Sequence, residues 1–227
     1  MEGPGATTDL GALYGATRER LCALLDDVDD AGWAAPVPAC PGWDVHAVVS
    51  HLVGVVEDGI AGRLQGGPPD AELSAEEVAR HRDDAPHELI ERWSELAPLI
   101  EAAISQHQIW PAVLDVVSHE HDVRGALGRP GARDADVVRR GARVLVAGVD
   151  PELDVGIEVA GDEPSDTAAT YRLRTTPFEV LRFRLGRRSR DQVMALDWST
   201  DPEPVVDRLF IFGPAASALA ELSPPPR

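Results

Sequence analysis

Asp44-Val-His-Ala-Val-Val-Ser-His51-Leu-Val-Gly-Val-Val56 is the stretch on which the fold turns. Val45, Val48, Val49, Leu52, Val53 and Val56 recur at three- and four-residue steps, the period of a helix with a broad apolar face. Asp44 stands just before them, where its carboxylate accepts from the free amides of the first turn. His51 lies in the middle of this apolar surface. An imidazole buried there is costly unless a polar group satisfies it.

Similar patterns flank it. Leu10, Leu13, Tyr14, Leu21, Leu24 and Val28 form one helical stripe, Leu10 to Val28. Asp29 to Gly42 is rich in proline and small residues and reads as irregular. Gly62 to Pro69 breaks the second helix. Ser74-Ala-Glu-Glu77 matches a capping box and predicts the start of a short polar helix. Leu89, Trp93, Leu96, Ile100 and Ile104 mark a helix from Pro86, with Pro98 expected to kink or divide it. Pro111 suits the first turn of the next helix, which runs to Leu127 and stops at Gly128. Ala135 to Val146 is helical again. After Pro151 the pattern changes. Val155–Val159 and Thr170–Arg174 alternate as strands do, separated by a polar turn, Gly161 to Asp166. Pro177 to Leu185 reads as a helix, Gln192 to Trp198 as a strand, Asp201 to Phe212 as a short helix and Ser223 to Arg227 as a disordered tail. The class is α+β: a helical bundle over residues 1–130, then a linking helix and a small α+β domain over 131–227.

Composition narrows the function. The 227 residues hold 39 Asp and Glu against 21 basic residues, a formal charge of −18. Such a surface repels phosphate, so neither nucleic acid nor an anionic membrane is an expected partner. All basic residues are arginine, which fits the codon bias of a GC-rich genome and excludes a lysine Schiff base. Two cysteines build no disulfide framework. Met1 to Asp9 has no signal-peptide pattern and no apolar run reaches the ~20 residues of a membrane span. A cytoplasmic location is expected.

Chemistry concentrates on the helix after Pro111. Asp115 and His119, four residues apart, point the same way along it, and Asp122 shares their face, while His121 points elsewhere. In an antiparallel bundle His51 is brought to Asp115 and His119. Two histidines, a carboxylate and open positions make a catalytic type of divalent site. The same residues also suit a hydrogen-bonded polar cluster without metal, and spacing leaves both readings open. Asp58, seven residues after His51 on its face, is a candidate supporting or substrate-binding group, as is Asp122. Cys40 is expected to pack in a tight corner; the alternative is a reactive thiol. The other histidines, in polar stretches, are expected at the surface. Arg187 and Arg188 in Gly186-Arg-Arg-Ser-Arg190 form a basic spot, either a solvated helix end or a clamp for a substrate carboxylate. No nucleophile elbow and no phosphate loop is present, and no residue is singled out as catalytic.

Taken together, Cys40-Pro-Gly-Trp43-Asp-Val-His-Ala-Val-Val-Ser-His51-Leu-Val-Gly54 and Asp115-Val-Val-Ser-His119-Glu-His-Asp122-Val-Arg-Gly-Ala-Leu-Gly128 resemble the two signatures of the actinobacterial mycothiol-dependent maleylpyruvate isomerase-like family. Phe178-Glu-Val-Leu-Arg182 and the segment from Gly186 to Ser199 are similar to its C-terminal domain. The resemblance implies a DinB-like metal-binding four-helix bundle followed by a small α+β domain. It implies a metal, usually zinc with nickel as the other candidate, held by His51, Asp115 and His119. Asp115 stands where the characterised isomerase has glutamate. The implied function is an enzyme, an isomerase or transferase, that uses a low-molecular-weight thiol, mycothiol, on a small electrophilic and acidic substrate. The alternatives are a non-catalytic metal- or ligand-binding protein of the same fold and a metal-hydroxide hydrolase. Partners are then the thiol and a small molecule, and the protein is a monomer or homodimer.

Overall fold

A computed structural model describes residues 9–64, 69–162 and 168–221. The Pro-rich tail from Ser223, the N-terminus through residue 8, and parts of the Gly62–Pro69 break and the Gly161–Asp166 turn lie outside the described residues. The chain divides into two compact units, Met1–Arg129 and Pro130–Arg227.

The first unit is helical. α1 (Leu10–Leu25), α3 (Val45–Ile60), α5 (Pro86–His107) and α6 (Trp110–Ala126) form the four-helix bundle, in which α1 and α3 each pack against both α5 and α6. Two short helices accompany them: α2 (Asp30–Trp33) inside the stretch expected to be irregular, and α4 (Ala71–Arg80), which packs on α3. Aspartates start most of these helices. Asp9, Asp29, Asp44 and Asp70 each accept a backbone N–H of the first turn, satisfying donors that the helix itself cannot. Asp70 thereby displaces Ser74, the expected start of α4, into the helix interior. Pro98 does not divide α5. It sits on the exposed side of an unbroken helix, where the carbonyl left without a donor is open to solvent.

Val45, Val48, Val49, Val53 and Val56 of α3 are buried, as their periodicity requires, and belong to one core with Leu89, Trp93 and Ile104 of α5 and Val113, Val116 and Val117 of α6. α6 is the unusual member. Every residue from Val116 to Val123 is buried, including Ser118, His119, Glu120, His121 and Asp122. A helix buried on all sides is ordinarily apolar, so these groups must be satisfied internally. Glu120 is: both its oxygens take N–H donors from Arg20, at 3.1 and 2.7 Å, and Arg124 adds two more bonds at 3.1 and 3.0 Å. His121, and His81 at the end of α4, are buried rather than solvated. Beside His121 the polar neighbours Glu120 and Asp122 are buried as well, whereas Arg80, Arg82 and Asp83 around His81 are exposed. His81 bonds Asp84 and Glu57.

The second unit holds α7 (Asp136–Ala147) and α8 (Pro177–Arg184), which pack together, and a three-stranded sheet. β1 (Val155–Val159) pairs parallel with β2 (Tyr171–Thr175), and β2 pairs antiparallel with β3 (Asp197–Trp198). The strand expected over Gln192–Trp198 is reduced to Asp197–Trp198, and Gln192 to Met194 belong instead to a short helix, α9 (Arg190–Met194). Ser189 Oγ accepts from the Gln192 amide and Gln192 Oε1 accepts from the Ser189 amide, a reciprocal cap that starts a helix. The expected helix over Asp201–Phe212 shrinks to a 3-10 turn, Val206–Leu209, because Pro202 and Pro204 remove donors from the segment before it. This is an α+β protein with a DinB-like bundle and a small mixed-sheet domain. Among the described residues no helix is long and apolar enough to cross a membrane.

Tyr14 and Trp93 join α1 to α5 in the core, the indole Nε1 donating to the phenol oxygen at 3.0 Å. Tyr14→Phe leaves that buried N–H without an acceptor and is expected to cost about 1–3 kcal/mol of unfolding free energy, read from the midpoint of urea denaturation. An unchanged midpoint contradicts the assignment.

Candidate metal centre

The loop before α3 and the middle turns of α3, α4 and α6 bring one cluster together. In the loop, Val37 N–H bonds Trp43 O at 2.9 Å, Cys40 N–H bonds Val37 O at 2.9 Å and Trp43 N–H bonds Cys40 O at 3.0 Å. Gly42 takes a φ of +88°, which glycine adopts without penalty. The tight loop sets the Trp43 ring 5.1 Å from the His51 ring and 6.4 Å from the His119 ring, centre to centre.

His51 on α3 and His119 on α6 both turn Nε2 toward Asp115. The His51 Nε2 lies 3.8 Å from one Asp115 oxygen, and the His119 Nε2 lies 3.5 Å from the other. One ligand atom from each of the three side chains falls within 4.8 Å of the others. On the far edge of each ring a second carboxylate holds Nδ1. His51 Nδ1 donates to Glu77 Oε2 at 2.7 Å, and His119 Nδ1 lies 3.2 Å from Asp122 Oδ2. Each carboxylate fixes its ring's tautomer and orientation, the arrangement that metal-binding histidines use.

Glu77 reaches His51 because Gly54, one turn on, leaves room for α4. A Cβ at Gly54 would stand 2.5 Å from Glu77 Cβ and 3.1 Å from its Cα. Any larger residue would push the α4 backbone away and take Glu77 with it.

A second grouping shares His119: Cys40, His119 and Asp122. Cys40 Sγ donates to Asp122 Oδ2 at 3.5 Å and lies 3.8 Å from His119 Nδ1. Here the ligand atoms are already engaged with one another and the Asp122 side chain is fully buried. Asp115 keeps 26% of its side-chain surface accessible. Each set keeps one partly accessible member, Cys40 or Asp115, and in the set His51, Asp115 and His119 both Nε2 atoms face that member. Two imidazole nitrogens and one carboxylate oxygen are donors that zinc and similar divalent ions accept with positions left over.

The other candidates have partners of their own. Asp58 is buried and ion-paired with Arg63 and, at 2.9 Å, Arg80. In the second unit Arg188 is buried and spends its guanidinium on Glu179, at 2.8 and 2.7 Å, and on Glu221, at 2.9 Å. Arg187 donates to Leu185 O. Spacing did not disclose Glu77, Trp43 or Cys40 as neighbours of the histidines. In the sequence Glu77 stands only as the end of a capping box, although its place opposite an apolar helix with one histidine is a usable signal.

The electrostatics favour protonated imidazoles. Burial alone would lower the His119 pKa, but the Asp115 charge and bonds from Asp115, Asp122 and Cys40 override it and hold the pKa well above the ordinary value. His51 is raised for the same reasons, with burial opposed by Asp115 and Glu77. Asp115 is held far below the usual carboxylate range, since the two histidines outweigh its burial. Glu77 moves the other way, because burial outweighs its bond to His51.

These features define a class: a DinB-like bundle with a polar cluster of two histidines and a carboxylate inside it. Residues 14–119 match the family described as the mycothiol maleylpyruvate isomerase N-terminal domain, a span that includes His51, Asp115 and His119. The crystal structure of the mycothiol-dependent maleylpyruvate isomerase is similar to this chain with a TM-score of 0.51 and 16% identity, over 85% of this chain and 92% of that one. A histidine-to-alanine mutant of that enzyme gives the same figures. At that identity the likeness is one of fold. No match was found among curated proteins.

A raised His119 pKa stabilises the folded state below about pH 6.5, where the unfolded imidazole is also protonated, and the contribution fades as pH rises through the folded value. In chelator-treated protein the stability gap between wild type and His119→Asn is therefore expected to shrink from pH 6 to pH 9. A gap that widens over that range in urea melts contradicts the cluster's charge assignment.

Proposed function

We propose that the protein is a metal-dependent enzyme that uses a low-molecular-weight thiol, mycothiol being the candidate, to isomerise or transfer sulfur to a small electrophilic substrate. The observation that carries this reading is the convergence of His51, Asp115 and His119 with a second carboxylate behind each histidine. The similarity to a mycothiol-dependent isomerase adds the thiol and the reaction type.

His51 Nε2, His119 Nε2 and an Asp115 oxygen would hold the ion, zinc first and nickel second. A bound divalent ion supplies Lewis acidity, which favours the thiolate form of a thiol near neutral pH. The chain's own contribution is positioning. Glu77 and Asp122 keep both imidazoles in the tautomer that presents Nε2, Trp43 packs against both rings, and Asp115 stays partly accessible between them. Apolar walls from α3 and α6 exclude water and strengthen each of these interactions. Aspartate is one methylene shorter than glutamate, which suits a carboxylate already within 4 Å of both nitrogens.

The test is metal analysis of the purified chain joined to a thiol-dependent activity screen. Zinc or nickel is expected in stoichiometric amount, lost in His51→Ala and His119→Ala and bound about 10–100-fold more weakly in Glu77→Gln. Turnover of electrophiles is expected only with thiol present. Wild-type protein that takes up neither metal sinks the proposal. Tight metal without any thiol-dependent turnover assigns a binding protein instead, and turnover independent of thiol assigns a hydrolase.

A further inference from the structure

A cavity of about 440 Å3 opens in the helical unit, and Asp115 forms part of its wall. The rest is almost entirely apolar, with Leu52, Val56, Ile100, Ala103, Ile109 and Ala112 among the lining residues from α3, α5 and α6 and the loop between α5 and α6. Tyr14 supplies the single hydroxyl among the described lining side chains, and His107 is the other ionisable group besides Tyr14 and Asp115. No arginine lines it among the described residues. The chain has no lysine, and residues 65–68, between the lining residues Leu64 and Pro69, read Gln-Gly-Gly-Pro, without charge.

The mouth continues this character. Ile60 and Leu99 line the cavity and are 42% and 60% exposed, two of the four large hydrophobic side chains left exposed among the described residues. Pockets for small molecules combine such apolar walls with a few polar groups that orient the ligand. An anionic ligand would leave water here without gaining a guanidinium, and would face the Asp115 carboxylate.

We propose that this cavity is the substrate pocket of the cluster and that it selects an uncharged, largely apolar molecule rather than an acidic one. This rests on the functional reading above for its link to the metal, but its selectivity follows from the wall alone. The acidic substrate was implied by the family resemblance, with Arg187 and Arg188 as the candidate carboxylate clamp, and in the second unit Arg188 is engaged by Glu179 and Glu221.

The experiment is equilibrium binding of a matched pair, 2-acetylnaphthalene and 2-naphthoate, to the full chain without thiol, by calorimetry, with metal content measured on the same samples. The neutral probe is expected to bind at least about tenfold more tightly, since a carboxylate without a partner is penalised in such a site. Ala112→Phe, which fills the cavity, is expected to weaken the neutral probe. Leu99→Arg, at an exposed position that folding tolerates, is expected to narrow the preference by adding a cation at the mouth. Equal or tighter binding of 2-naphthoate, or neutral-probe binding that neither substitution alters, overturns the inference. A chain that binds no metal yet prefers the neutral probe overturns the functional reading and upholds the pocket's selectivity. A metal-loaded chain that prefers 2-naphthoate does the reverse.

Discussion

Two hydrogen bonds organise the centre of the bundle: His51 Nδ1 to Glu77 and His119 Nδ1 to Asp122. Each involves a carboxylate fully removed from water. A buried carboxylate without a partner costs several kcal/mol, so neither acid can be left alone. By taking up the Nδ1 edges they decide that both Nε2 atoms face Asp115. The rest of the first unit is arranged around that requirement. Gly54 lets α4 come close enough to deliver Glu77, the loop through Gly42 lays Trp43 on the rings, and Asp44 starts α3 in the register that puts His51 inward.

A second buried acid on the same helix shows the contrast. Glu120 is also inaccessible, but Arg20 and Arg124 meet its oxygens from α1 and from its own helix. That group is closed: carboxylate and guanidinium donors answer one another and no ligand atom is spare. The His51, Asp115 and His119 set has carboxylate on every side and no arginine, which leaves its Nε2 edges facing an acid. Both clusters bury charge, but one is closed by guanidinium donors and the other keeps imidazole and carboxylate ligand atoms within 4.8 Å of one another.

The bundle was legible because its helices declare themselves twice, by apolar stripes and by aspartate caps at Asp9, Asp29, Asp44 and Asp70. His51, Asp115 and His119 were legible for a related reason: a histidine within a valine-rich face and an i, i+4 pair leave few geometries open. Glu77 was not, since α4 is short and polar and its position depends on a glycine in another helix. Cys40 and Trp43 depend on a loop whose shape is set by backbone bonds rather than by periodicity. In the second unit the apolar pattern of Gln192–Trp198 suits a strand, but the Ser189–Gln192 cap is a local hydrogen-bond pair that overrides it. The burial of His81 and His121 is not legible in the sequence, because charged neighbours have the pattern of a solvated surface whether or not they are ion-paired.

The central claim is that a cation sits among His51, Asp115 and His119 rather than with Cys40. X-ray absorption at the zinc edge of the zinc-loaded chain, without added thiol, reads the ligands directly. The account predicts a first shell of nitrogen and oxygen with imidazole scattering from two histidines and no sulfur. A zinc–sulfur distance of about 2.3 Å would contradict it and move the ion to Cys40, His119 and Asp122.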